Sequence, residues 1–272
     1  MKRFITVLMS ALVAISLFGV HSANEMTFAD GYNGASLENS EKVTIEFARK
    51  ADDEIIINGG LPKYSDGSSR ENTCANTAGA IVLGYYDKTY DEIIANFSSA
   101  RVIRDKVLYA AQSDAVDSVI ARLYVTMKTN FTEGGTTIAN FKSGLREYVN
   151  DQGLNISYSQ VVSDYALNFN AYESSIRQEK PVVLFCSNYS LVSLTALDAE
   201  SGTEVFTMQH YTGNHVLVAY GIRKINYYNA SGKLINQLNL LAVATGFSYG
   251  AFGYILLDDY GTLIDGYNVK IY

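Results

Sequence analysis

The chain has 272 residues, of which 48% are hydrophobic and 18% are charged, and its formal net charge is −7 at pH 7. This length and composition indicate one large or two small globular units with a substantial core, and they exclude an intrinsically disordered chain. The excess of acidic residues gives no overall electrostatic attraction for nucleic acid or anionic lipid, so we expect neither as a partner.

The N-terminus has the three regions of a secretory signal peptide. Lys2 and Arg3 precede an apolar run that ends at Val20, and small residues follow. We assign residues 1–23 to a signal peptide and expect a protein that is secreted or held in the cell envelope or periplasm. The run could just span a membrane, but no second apolar segment of that length follows, so we expect no membrane contact after cleavage. Cleavage removes two of 21 basic residues and none of 28 acidic ones, which takes the formal charge from −7 to −9.

The mature chain divides at about residue 55. Residues 24–54 are polar and rich in turn-forming residues, with only a weak strand pattern at Val43 to Phe47. We interpret them as a partly ordered lead segment, a candidate short pro-segment that we expect to stay attached. Residues 55–272 have the periodic apolar pattern of a folded domain.

The stretch from Asn72 to Asp87 predicts a buried helix that begins at Cys74. Its apolar residues recur at helical spacing, and glycine and alanine keep a second face small enough for close packing. Asn72 or Thr73 can cap the first turn through a side-chain oxygen. A thiol at a helix N-terminus faces unsatisfied backbone N–H groups and the positive end of the helix dipole, and both favour the thiolate. Cys74 is therefore placed as a nucleophilic cysteine would be.

Three further segments have helical period. They are Val116 to Met127, Ile138 to Val149 and a short helix around Tyr172 to Gln178. Thr136 can cap the second segment, and Asn170 can cap the third, which stops before Pro181.

After Pro181 the pattern changes to that of β-strands. The β-rich runs are Val182 to Ser187, Leu191 to Leu197, Thr203 to Met208, Val216 to Tyr227, Leu234 to Thr245, Tyr254 to Leu257 and Tyr267 to Tyr272. A helical half followed by an antiparallel sheet or barrel half, without alternation, predicts an α+β fold.

Two cysteines and two histidines in the mature chain carry the candidate chemistry. A disulfide between Cys74 and Cys186 is the simple alternative for an exported protein, but Cys186 lies in an apolar run where a buried thiol is common. His215 is the first residue of a predicted apolar strand, which puts its ring at the end of that strand, while His210 falls in a predicted loop. These two histidines lack a third ligand at zinc spacing, so we expect no metal.

In their order and spacing these residues resemble the papain-like cysteine peptidases, and most closely a bacterial branch similar to bacteriocin-leader peptidases. Cys-Ala-Asn-Thr-Ala-Gly-Ala from Cys74, followed by Leu-Gly-Tyr-Tyr-Asp, resembles the nucleophile helix of that family. Asn-His-Val-Leu-Val-Ala-Tyr-Gly, which contains His215, resembles its histidine strand. The preceding Leu-Pro-Lys-Tyr also matches, and the resemblance covers roughly residues 55 to 258.

The resemblance implies a papain-like fold and a monomeric peptidase that needs no cofactor and cleaves a peptide or protein substrate. Cys74 and His215 would form the catalytic dyad. Thr245 stands where the family has asparagine or aspartate, and we expect its hydroxyl to orient the imidazole, with Asp258, Asp259 and Asp265 too remote to substitute. The family's oxyanion glutamine is missing, and Asn72 is our candidate for that donor.

Three alternatives stay open. Ala75 and Asn76 replace the family's usual glycine or serine and proline, so the chain could be a degenerate member that keeps the fold for binding. It could also be an exported binding protein stabilised by a Cys74–Cys186 disulfide. Finally, the same dyad serves amidases and transpeptidases as well as peptidases.

Overall fold

The structure, a computed structural model, describes residues 27–28, 36–65, 70–91, 93–131, 134–198, 202–248, 250–257 and 262–272. The expected signal peptide lies outside these ranges. None of the helices within them has both the length and the apolar character needed to cross a membrane.

Four helices and thirteen strands make up the described part of the chain. The helices are α1 (Cys74–Asp87), α2 (Asp114–Thr126), α3 (Ile138–Asp151) and α4 (Phe169–Arg177). The strands are β1 (Thr27–Phe28), β2 (Ser36–Glu46), β3 (Arg49–Ile56), β4 (Ala100–Ile103), β5 (Lys106–Tyr109), β6 (Thr136–Thr137), β7 (Ile156–Ser163), β8 (Ala166–Leu167), β9 (Val182–Asp198), β10 (Thr203–Tyr228), β11 (Leu234–Ala244), β12 (Phe252–Leu256) and β13 (Thr262–Ile271).

One antiparallel sheet contains nine of the strands, and β10 is its central member. The first half of β10 pairs with β2 and β9, and its second half pairs with β3 and β11. Because β12 joins β11 to β9, the strands β10, β11, β12 and β9 close into a ring. The sheet then continues from β9 through β13 and β7 to β8.

Two apolar cores lie on this sheet. The larger one forms where α1 packs against α2, α3 and β10, and all fourteen residues of α1 are buried in it. The smaller one lies among the ring strands and includes Ile45 of β2, Phe206 of β10 and Leu240 of β11.

A buried charge attaches β3 to this smaller core. The Glu204 carboxylate is fully buried, and it accepts hydrogen bonds from Lys50 Nζ at 3.1 Å and from the Tyr227 hydroxyl at 2.6 Å. Lys50 in turn pairs with Asp52, which forms a two-bond pair with Arg223. Partners of this kind are what makes burial of a carboxylate tolerable.

The order of elements confirms an α+β fold, but the chain is not a helical half followed by a strand half. β2 and β3 come before the first helix and both pair with β10, although the sequence predicted only a weak strand there. The boundary at residue 55 also falls inside β3, so residues 36–54 are part of the sheet. In addition, two predicted pairs of strands each merge into one, giving β9 and β10.

α3 and α4 are capped by side chains at their N-termini, as predicted, but by different residues. Thr137, not Thr136, caps α3 by accepting a hydrogen bond from the Asn140 backbone nitrogen. Asn168, not Asn170, caps α4 by accepting from the Ala171 backbone nitrogen. In both cases the capping side chain is three residues before the amide it serves, the spacing that brings a cap and an N3 amide together.

Replacing Gly144 by alanine tests the packing of α3 on α2. A Cβ at this position would lie 2.5 Å from the Met127 backbone nitrogen and 2.6 Å from the Thr126 carbonyl carbon. We expect Gly144→Ala to lower the free energy of unfolding by about 1–3 kcal/mol, despite the roughly 1 kcal/mol by which alanine favours a helix over glycine. Urea unfolding measures the change. Ser143→Ala, at an exposed neighbouring position, is the control and should stay within about 0.5 kcal/mol of the parent; equal stability of the two variants would contradict this packing.

Candidate active site

Cys74 is the first residue of α1, and its side chain is only 2% exposed. Thr73 occupies the N-cap position, with φ −95° and ψ 5°, and makes no side-chain capping hydrogen bond. The expectation that Asn72 or Thr73 caps the helix through a side-chain oxygen is therefore wrong.

Asn72 adopts a left-handed backbone conformation, with φ 64°, that turns its side chain towards the loop after α2. Its Nδ2 donates to Asn130 Oδ1 at 2.8 Å. Asn130 Oδ1 also accepts from the Gly135 backbone nitrogen, so the Asn72 amide is held in a loop network. One of its two amide hydrogens is used there.

Asn76 ties the first turn of α1 to the start of α3. Its fully buried amide exchanges hydrogen bonds with the Thr129 hydroxyl and donates to the sulfur of Met127. Thr129 in turn shares a hydrogen bond of 2.6 Å with Thr136 of β6. The helix itself is regular here, since the Thr77 backbone nitrogen bonds the Thr73 carbonyl at 2.9 Å.

His215 lies in the middle of β10, not at the end of a strand, because the two predicted strands on either side of it are one strand. Its Nε2 lies 2.9 Å from the Thr245 carbonyl oxygen. A carbonyl only accepts hydrogen bonds, so Nε2 carries the proton and Nδ1 has the lone pair in the neutral ring. No residue in the described ranges gives Nδ1 a hydrogen-bond partner.

Thr245 contacts His215 through its backbone and not through its hydroxyl. The hydroxyl donates to the Gly250 carbonyl at 2.9 Å and accepts from the Phe247 backbone nitrogen at 3.1 Å. The sequence-based assignment of the orienting contact to this hydroxyl is corrected accordingly. Three carboxylates were expected to be too remote to orient His215. The Asp265 carboxylate accepts hydrogen bonds from Gln160 and Tyr267, while Asp258 and Asp259 lie outside the described residues.

Two aromatic rings enclose the imidazole of His215. The ring of Phe247 stacks on it with centroids 4.6 Å apart and planes at 20°, and Tyr189 stacks at 5.7 Å and 17°. Tyr211 stacks on both Tyr189 and Phe247, which makes a compact cluster of four rings. Sequence analysis did not single out Tyr189 or Phe247 as partners of His215, because ring stacking between distant strands leaves no local pattern.

Burial among these rings lowers the pKa of His215 from 6.5 to about 4, and the hydrogen bond to Thr245 opposes that shift. The imidazole is 1% exposed, and a cation there would lose its hydration. The ring is therefore neutral at physiological pH and able to accept a proton.

The helix that carries Cys74 and the turn that holds His215 are in contact. A Cβ at Gly246, the residue after Thr245, would lie 3.2 Å from Cγ2 of Thr77 in the first turn of α1. α1 also packs along β10. The structure thus brings together the elements that bear Cys74, His215 and Thr245.

Cys74 and Cys186, which both lie in the described ranges, do not form a disulfide. Cys186 is directly opposite His215 in the β9–β10 pair, and directly opposed residues of an antiparallel pair share a face of the sheet. Complete burial raises the pKa of the Cys186 thiol, which keeps it protonated and unreactive. The other histidine, His210, lies in β10 rather than in a loop and bonds Ser190 through Nδ1 at 2.8 Å.

Comparison of the chain with protein-family models, with curated proteins and with solved structures gives no match.

The burial of His215 predicts a loss of stability at low pH. Between pH 6.5 and about 4 the unfolded chain binds a proton that the folded chain does not. The contribution of His215 is complete above pH 6.5 and decreases as the pH falls to about 4, by about 3 kcal/mol in all. Urea unfolding at several pH values measures it. His215→Gln should lose this part of the pH dependence and His210→Gln should keep it; identical slopes for the parent and His215→Gln would contradict the burial.

Proposed function

We propose that this protein is an exported thiol peptidase of papain-like type, with Cys74 as nucleophile, His215 as general base and the Thr245 carbonyl as the group that orients the imidazole. The observation that carries the proposal is the state of His215. Its Nε2–H is bound to the Thr245 carbonyl, which leaves the Nδ1 lone pair available in an element packed against the helix that Cys74 begins. Nδ1 has no hydrogen-bond partner among the described residues, Cys74 included, so the proton transfer requires the site to rearrange.

The proposed reaction proceeds through an acyl-enzyme. His215 Nδ1 takes the thiol proton as the Cys74 sulfur attacks the amide carbonyl, and the first-turn N–H groups of α1 and the Asn72 amide stabilise the oxyanion. The imidazolium then protonates the leaving amine as the C–N bond breaks. Water, deprotonated by His215, cleaves the thioester, which releases the acid and restores the thiol. Neither a metal nor an organic cofactor takes part.

The described conformation is a closed one. Cys74 and His215 are 2% and 1% exposed, so a substrate reaches them only after a neighbouring segment moves. β1, in the lead segment, is a candidate for that segment. It pairs with β6, which the Thr136–Thr129–Asn76 contacts link to the first turn of α1, and it also packs against β10.

The pairing of β2 and β3 with β10 divides the lead segment into residues 36–54 and the part before Ser36. β2 and β3 supply backbone pairing to β10 along most of its length, so residues 36–54 stay with the domain. Any processing of the lead segment falls before Ser36 in this proposal, and the part removed includes β1.

The second candidate function is a degenerate papain-like protein that binds without cleaving. The observation that favours it is again at His215, because a pKa of about 4 makes the imidazole a weak proton acceptor from a thiol in the closed conformation. The peptidase candidate requires that His215 regain hydration and become a stronger proton acceptor when the site opens, whereas the binding candidate does not.

Peptide cleavage by purified variants separates these candidates. On a broad peptide library under reducing conditions, the parent protein should cleave, and Cys74→Ala and His215→Ala should lower the rate by at least 10³-fold because each removes a group of the covalent step. Cys186→Ala is the matched thiol control and should retain the parent rate. Cleavage that survives Cys74→Ala would refute the thiol mechanism, and no cleavage by the parent would favour the binding function. Added amine acceptors would divert product to the ligated form if the enzyme is a transpeptidase.

The closed conformation predicts that Cys74 is protected from alkylation until the segment before β2 is removed. A chain that begins at Ser36 should react with iodoacetamide at Cys74 at least tenfold faster than the full chain, as followed by mass spectrometry of the Cys74 peptide. Phe28→Pro, which removes a backbone donor from β1, should give an intermediate rate.

Cys186 serves as an internal control for that measurement. It is fully buried in the sheet, so its alkylation reports global unfolding and should be equally slow in both chains. If Cys74 reacted at the same rate with and without residues 1–35, β1 would not be the segment that closes the site.

A further inference from the structure

The hairpin formed by β4 and β5 is a two-stranded sheet of its own, separate from the main sheet. One face of the hairpin is anchored. Tyr109, at the base, donates its hydroxyl hydrogen to the Gly60 carbonyl at 3.1 Å. Val107, nearer the turn, packs so closely on Gly59 that a Cβ on the glycine would lie 2.3 Å from the valine Cβ. Residues 101–106, which form the tip, are all exposed.

The exposed tip is apolar and basic at once. Val102, Ile103 and Leu108 are 68%, 53% and 52% exposed. Arg101, Arg104 and Lys106 surround them, with Asp105 as the one acidic residue. None of the three cations makes an ion pair with a residue in the described ranges.

The turn at the tip is strained. Arg104 and Asp105 have φ values of 49° and 63°, the left-handed pair that a two-residue hairpin turn normally fills with asparagine and glycine. Non-glycine residues in this region store strain of the order of 1 kcal/mol each. Arg104 and Asp105 therefore occupy a turn in which asparagine and glycine would store less backbone strain.

We propose that the tip of this hairpin docks the protein on an anionic lipid surface. Cations interleaved with exposed aliphatic side chains match the headgroup boundary of a bilayer, where the charges meet anionic phosphates and the aliphatic groups enter the acyl region. The net charge of the whole chain opposes such a partner, but the interaction is local, because charges farther away than about 10 Å are screened at physiological ionic strength. A convex turn also fits a planar surface better than it encloses a peptide.

The position of the hairpin sets the orientation of the docked protein. Its base lies at the C-terminal end of α1, where the Asp87 carboxylate accepts from the Ile94 and Ser99 backbone nitrogens, and the Ser99 carbonyl accepts from Ala110. Cys74 is at the other end of α1, about 20 Å away for a helix of this length. The hairpin is therefore anchored near the end of α1 opposite Cys74, and the proposed docking does not depend on the proposed activity.

Vesicle co-sedimentation of the full mature chain tests the proposal. We expect binding to vesicles of phosphatidylglycerol and phosphatidylcholine in equal parts, little binding to pure phosphatidylcholine, and strong weakening in 0.5 M salt. Combined Arg101→Gln and Arg104→Asn should weaken partitioning roughly tenfold or more, since two cations near the surface are lost. Asn tolerates the left-handed turn, so the hairpin is not disrupted in this variant. Asp105→Asn should strengthen binding.

Matched variants elsewhere control for general surface effects. Ile103→Ser with Val102→Ser should weaken binding, whereas Val125→Ser, at a 73% exposed position of α2, and Lys233→Gln, at an exposed turn, should not. Equal binding of the parent and the hairpin variants would overturn the proposal, as would no binding by the parent. Binding to soluble polyglutamate but not to vesicles would also overturn it and identify an acidic protein as the partner.

Discussion

The backbone pairing of β10 is the constraint on which the rest of the structure depends. Its 26 residues exchange hydrogen bonds with four other strands, so that both of its edges are occupied along most of its length. The same strand forms part of the smaller core and carries His215 against the larger one. Residues 36–54 of the lead segment therefore cannot be treated as a detachable extension, because β2 and β3 occupy edges of β10 that would otherwise be exposed.

The candidate site buries polar groups both with and without hydrogen-bond partners. Asn76 is satisfied by Thr129 and Met127, but His215 Nδ1 and the Thr77 hydroxyl have no partner among the described residues. A buried polar atom without a partner costs about 1–3 kcal/mol. A fold that keeps two of them at the contact between α1 and the Thr245 turn is consistent with a site whose polar groups are completed by a ligand.

The parts of the fold that follow from local periodicity were predictable, and the parts that depend on distant pairing were not. The start of α1 at Cys74 follows from its apolar spacing. β2, by contrast, is a mostly exposed edge strand, and only its end from Val43 has the apolar alternation of a strand, so the sequence indicates a weak strand there and not the full length of β2. At the site, sequence order identified His215 and the Thr245 position, but it could not identify a backbone carbonyl as the contact, because every residue has one. The Arg104–Asp105 turn was likewise invisible, since it lacks the glycine or asparagine that marks such turns.

At two of the register shifts in the pairing of β10 the extra residue lies on β10 itself, between Tyr211 and Asn214 and between Ala219 and Gly221, and His215 lies on the short segment between them. In a strand with alternating faces, an inserted or deleted residue would otherwise invert every side chain beyond it. A bulge limits a change of register to the part of the strand on one side of it. A single residue inserted between Asn214 and His215 would turn the imidazole to the opposite face of the sheet.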